Sequence, residues 1–196
     1  MIKKELFQQD YFLHDLRTSN HVKNNLAGTA LSLSKLHGID KAKMTRKQPP
    51  LLSQFPFQFE AQTRWDDNDI YGHLNNTVHY RLFDTAVNSF LMQNNVLDFR
   101  NSEHVYLVIE TGCTYFAELA YPDLLIVGVG IAHLGNSSVR YHTALFKKGD
   151  KGPDEVVAAA AGHFVHVNVN KENRQPVSID TASRDIFSKI MINQSS

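Results

Sequence analysis

Cysteine is almost missing from this chain. Cys113 stands alone among 196 residues, so no intramolecular disulfide can form and a reducing, intracellular setting is expected. No run of about 18 apolar residues occurs, which excludes a membrane-spanning helix. An excess of one charge is missing too: formal net charge is zero, giving no support for a nucleic-acid partner. Zinc-ligand spacing is absent, and no Gly-x-Ser-x-Gly element supplies the nucleophile of an α/β-type serine hydrolase. A calcium loop begun at Asp67 would put Gly72 correctly at its sixth position, but Val78 occupies the twelfth, where a bidentate Glu is needed. Neither a metal nor a redox cofactor is expected. With 42% hydrophobic and 20% charged residues, the chain has the composition of an ordinary globular protein.

Charge is unevenly spread. Residues 1–50 carry nine Lys or Arg against four Asp or Glu, ending in a basic patch at Lys41, Lys43, Arg46 and Lys47 and then Pro49-Pro50, where a boundary is expected. The division is a basic extension over residues 1–50 and a folded domain over 51–196. Leu6, Leu13 and Leu16 suit a helix face, so one reading of the extension is a mitochondrial presequence. Glu5, Asp10 and Asp15 argue against that reading; the other is an extension over the domain edge. The compartment, cytoplasmic or mitochondrial, stays open.

The most informative stretch runs from Phe57 to Gln93. Phe57, Phe59 and Ala61 alternate with Gln58, Glu60 and Gln62, the period of a half-buried strand. Val78, Leu82, Phe83, Ala86, Val87, Phe90 and Leu91 recur at helical spacing. Between them lie Asp66, Asp67, Asn68, Asp69, Gly72, His73, Asn75 and Asn76, more polar and turn-forming residues than a connection requires. Asn75 or Asn76, before Thr77, is a natural N-cap. The first helical N–H groups therefore lack partners within the helix and suit a developing oxyanion.

The segment Arg64 to Asn76, with Tyr80 and Phe83-Asp84 beyond it, resembles the signature of hotdog-fold acyl-CoA thioesterases of the 4-hydroxybenzoyl-CoA thioesterase type. The likeness continues through Tyr115 to Pro122, Leu134 to Val139, and Arg174 to Val177, covering roughly residues 55 to 180 in order. The resemblance implies an α+β fold: an antiparallel sheet of about five strands wrapped around one long helix. The patterning agrees, with strands expected after Phe57 and over 105–119, 124–133, 137–147 and 156–170, and a weaker final helix over 178–190. It also implies a homodimer or tetramer with each active site built between two subunits. An open sheet edge calls for such a partner.

The resemblance makes Asp69 the catalytic carboxylate, either attacking the thioester carbonyl or holding a water as general base. Asp66 and Asp67 are read as structural, capping the turn or pairing with Arg64. Asn76 falls where the family's helix begins and a backbone N–H polarises the carbonyl; relatives carry His there. His73 orients Asp69, donates a proton to the departing thiolate, or is scaffold. Asp84 falls two turns into the helix, where some hotdog thioesterases keep an acid, although an i,i+3 ion pair with Arg81 is the simpler expectation. Gly72 suits positive φ or close substrate approach. Asn75, Tyr80, Ser137 and Ser138 are further substrate-binding candidates, the two serines matching a segment near the pantetheine arm. Arg140, Lys147 and Lys148 are candidates for nucleotide phosphates or simply solvated charges, and Cys113, His163 and His166 are read as structural.

These readings lead to an enzyme that hydrolyses acyl-CoA to free acid and CoA. The alternatives are a non-catalytic hotdog protein that binds acyl groups or serves a structural role, and a thioesterase for acyl carrier protein. Hotdog hydratases keep four residues, with Asn-Pro among them, between Asp and His; three separate Asp69 from His73, which favours hydrolysis.

Overall fold

The structure, a computed structural model, describes residues 48–98 and 100–192. The basic patch and the proposed presequence lie outside the described residues.

The alternation after Phe57 is realised as β1, Phe57–Gln62. It is followed by α1, Asn76–Gln93; β2, His104–Tyr115; β3, Leu124–Leu134; β4, Ser138–Lys147; β5, Ala160–Asn170; and α2, Thr181–Ser188. The strands form one five-stranded sheet in the order β1-β3-β4-β5-β2, with every neighbouring pair antiparallel. Val78, Leu82, Phe83, Ala86, Val87, Phe90 and Leu91 on α1 are buried against Leu125, Val127, Val129, Val139, Tyr141, Leu145 and Phe164 of the sheet. The helix is the long apolar element that covers this sheet face, as the hotdog arrangement requires. No helix among the described residues is long and apolar enough to cross a membrane.

Two element bounds differ from the sequence expectation for identifiable reasons. β2 stops at Tyr115 rather than continuing to Leu119, because the Phe116 and Ala117 amides both turn to the Ala159 carbonyl and Leu119 is drawn to the loop before α1. β5 begins at Ala160, since Val157 instead bridges Leu51 and the Ala158 amide donates to the Pro50 carbonyl.

That pairing anchors a segment whose role the sequence did not disclose. Leu52 and Phe55 bury themselves on the other face of the sheet with Ala144, Phe146, Ala158 and Ala161. Gly128 makes room for this: a Cβ there would lie 2.5 Å from Phe55 Cγ.

His166, expected to be structural, is only 1% exposed and sits among the rings of Tyr106, Tyr141 and Phe164, with no hydrogen-bond partner on either ring nitrogen. Burial pushes its pKa down to about 4. The fold thus favours neutral imidazole, and stability falls as pH drops from about 6.5, where the unfolded chain takes up a proton, toward 4. The loss is on the order of 3 kcal/mol. His166→Phe is expected to remove that part of the acid sensitivity, seen as a smaller difference between urea-unfolding free energies at pH 7 and pH 4.5 than in the wild type.

Candidate active site

The loop between β1 and α1 is fastened by Asp67. This side chain is 4% exposed; its Oδ2 accepts the Arg64 amide at 2.7 Å, Oδ1 is paired with Arg81, and its carbonyl accepts the Asn75 amide. The expected capping role is present. The expected Arg81–Asp84 ion pair is not, because Arg81 reaches back to the buried Asp67. Asp84 instead accepts a hydrogen bond from the Asn88 carboxamide at 3.0 Å. Its pKa is raised by burial, with the Asn88 bond acting the other way.

Asp69 begins a tight turn. Its amide donates to the His73 carbonyl at 2.8 Å, its carbonyl accepts the Gly72 amide, and Oδ1 accepts the Tyr71 and His73 amides at 2.8 and 3.1 Å. Gly72 lies at φ +84°, the positive φ expected of it. The carboxylate is thereby held by one oxygen, while Oδ2 has no partner among the described residues.

Immediately beyond this turn α1 begins. Asn75 is the N-cap, its side-chain oxygen accepting the Thr77 amide at 3.0 Å and the Thr77 hydroxyl at 2.9 Å. Asn76, the first helical residue, keeps an N–H with no acceptor inside the helix, at the positive end of the macrodipole.

A second wall comes from the chain after β2. The Leu74 amide donates to the Leu119 carbonyl at 2.6 Å, the Tyr121 amide donates to Asn68 Oδ1 at 3.0 Å, and Trp65 meets Tyr121 edge-on. His73 Nε2 lies 3.1 Å from Glu118 Oε2. Nothing in the local sequence pattern pointed to Glu118; its place depends on the crossing of two segments distant in the chain. Farther along α1, Tyr80 and Cys113 both come near the Tyr115 side chain. Burial foremost raises the pKa of both Tyr115 and the half-buried Cys113 thiol. His79 packs its ring on Tyr115 and donates from Nδ1 to the Asn75 carbonyl; burial lowers its pKa, and that bond opposes the shift.

Asp69, Gly72, His73, Asn75 and Asn76 are therefore contiguous, and Tyr80 and Asp84 follow along the helix. Ser137 and Ser138 are elsewhere. They sit beyond the Leu134 end of β3, whereas the loop contacts the chain just before Leu124, a strand length of about 33 Å away. Arg140 pairs with Glu110, Lys147 with Asp123, and Lys148 with Glu60. A groove of about 570 Å³ runs beside β1, with Phe59, Ala61, Arg64, Arg81 and Leu82 in its lining; Asp69 and His73 do not line it.

A family model described as the thioesterase-like superfamily matches residues 63–187. The chain belongs to that superfamily. Among solved structures, the PA5185 protein from Pseudomonas aeruginosa is 42% identical, with 74% of this chain and 98% of that one covered and a TM-score of 0.69. A 1,4-dihydroxy-2-naphthoyl-CoA thioesterase from Synechocystis is 15% identical, covering 67% of this chain and 95% of its own, with a TM-score of 0.58. A gentisyl-coenzyme A thioesterase is 20% identical, covering 67% and 99%, with a TM-score of 0.57. These last two share the fold. No curated protein matches the chain. Membership of the superfamily supports thioester hydrolysis as the general chemistry.

The Asp67–Arg81 pairing has a measurable consequence. Arg81→Ala leaves a buried carboxylate without its counter-charge and is expected to destabilise the fold by about 2 kcal/mol, less than for a fully buried pair because Arg81 is half exposed. Urea unfolding should show that loss, and a double-mutant cycle with Asp84→Asn should give no coupling beyond about 0.5 kcal/mol.

Proposed function

We propose that this protein is an acyl-CoA thioesterase, akin to the 4-hydroxybenzoyl-CoA type, with its active site at the turn preceding α1. The observation carrying the proposal is the Asp69 carboxylate, clamped through Oδ1 by two backbone amides beside the helix start with Oδ2 left over. A fixed carboxylate with an unused oxygen suits either attack on a thioester carbonyl or activation of water. The Asn76 N–H is the oxyanion donor on this reading, since the Thr77 amide is already taken by Asn75. His73 supplies the proton for the departing thiolate. Asp84 is a half-buried second acid on the same helix, beyond Tyr80. The CoA thioesters named for two structural neighbours support CoA as the carrier.

The working unit is a homodimer on this proposal. β2 is an edge strand, and its Leu107, Val108 and Ile109 are 38%, 46% and 63% exposed. Such an apolar edge is unusual on a protein that works alone. Pairing β2 antiparallel with a second copy reverses the partner's sheet, so the partner's 137–138 turn comes to the end that bears Asp69. It lies two strands in from the junction, about 10 Å. This arrangement supplies the wall that the single chain lacks and gives Ser137 and Ser138 access to substrate.

Asp69→Asn is expected to lower kcat for acyl-CoA by about 10² to 10⁴, with the dimer and the fold retained. Thiol release across a panel of acyl-CoA chain lengths, alongside sedimentation, checks this. A wild type inert on the whole panel would leave the acyl-binding alternative, and full activity in the variant would remove Asp69 from the chemistry.

A further inference from the structure

Hydrolysis of a thioester moves two protons. On the general-base route, water adds through its oxygen to the carbonyl carbon and gives a proton to the Asp69 carboxylate. When the C–S bond breaks, sulfur leaves with the bonding pair and needs a proton to become the thiol. Asp69 serves the first transfer, and the second requires a donor whose orientation is held at the same loop.

We infer that Glu118 is a positioning residue that holds His73 as the proton source for the departing thiolate. The inference rests on the thioesterase reading above. His73 Nε2 lies 3.1 Å from Glu118 Oε2, so the carboxylate accepts that N–H. Nδ1, with no partner among the described residues, is left to carry the mobile proton. The backbone around the ring is fixed on both sides: the His73 amide donates to Asp69 Oδ1, its carbonyl accepts the Asp69 amide, and the next residue is bonded to Leu119, Glu118's neighbour. Proton acceptor and proton donor thus share one turn. The donor's orientation comes from a different segment. After release of CoA, the proton taken by Asp69 returns the imidazole to its charged form through water, so atoms and charge balance over one turnover.

The charged groups around the imidazole are few. Asp69 lies on its own turn and Glu118 on the segment after β2. Asp67, behind the loop, is neutralised by Arg81. Removing Glu118 takes away the acceptor that fixes the ring. His73 and Glu118 are 45% and 77% exposed, so their pairing contributes little to stability and Glu118→Ala should fold normally.

The test combines kinetics with ¹⁵N signals of the His73 ring. In Glu118→Ala, which removes the acceptor, kcat is expected to fall about tenfold with KM little changed. His73→Gln should lower kcat at least as far, and adding Glu118→Ala to it should cost nothing more, because one acts through the other. The spectrum of the neutral ring, read without substrate, should show the proton on Nε2 in the wild type and a tautomer mixture in Glu118→Ala. An unchanged kcat, multiplying losses, or an unchanged ring spectrum would overturn the role of Glu118. A Glu118-dependent ring spectrum in a wild type that hydrolyses no acyl-CoA would instead overturn the thioesterase reading, and the catalytic role with it.

Discussion

The structure depends on one act of burial: the apolar stripe of α1 lies in the concave face of a five-stranded antiparallel sheet. Because β1 runs straight into the loop and α1 out of it, that packing fixes where the intervening residues are displayed. It also fixes the direction of the helix, and hence which end offers unpaired amides. The loop is then pinned at Asp67, whose two oxygens and carbonyl tie together Arg64, Arg81 and Asn75. Asp69, two residues on, inherits its position from this fastening. A carboxylate on a loop gains precision only if the loop has such buried anchors.

Much of this was legible in the sequence because it is local. Alternation announced β1, the three-and-four spacing announced α1, and Asn75 before Thr77 announced the N-cap, each being a property of a few consecutive residues. Gly72 was legible for the same reason. What the sequence could not reveal was partner choice over distance. Arg81 had a carboxylate three residues away and still took Asp67, since a buried anion gains more from a counter-charge than a hydrated one does. His73 met Glu118 only because residues 116–119 leave the sheet and cross to the loop. Phe55 found the outer sheet face because Gly128 leaves room there, which no periodicity within residues 48–55 could indicate.

Ser137 and Ser138 illustrate a different limit. One chain sets them at the far end of the sheet from Asp69, so on the proposed function their resemblance to a substrate-contacting segment is a statement about an assembly. Motif order along a sequence does not distinguish contacts made within a subunit from contacts made across a two-fold axis. In the proposed dimer the edge strand β2 is the physical link between the two, since antiparallel pairing of two copies exchanges near and far ends.

One irregularity in β2 governs that edge. Val108 opposes His166 and Glu110 opposes Val165, so Ile109 is an extra residue in the ladder. Before it Tyr106 and Val108 share the helix-facing side; after it that side belongs to Thr111, Cys113 and Tyr115, while Glu110 is left to meet Arg140 and His163 opposite. Strand parity is thus switched once, just upstream of the tyrosine that contacts Tyr80. Loss of Ile109 alone would straighten the ladder, with Glu110 following Val108 in regular alternation and Thr111, Cys113 and Tyr115 keeping their side, whereas one residue more would send those three to the opposite surface.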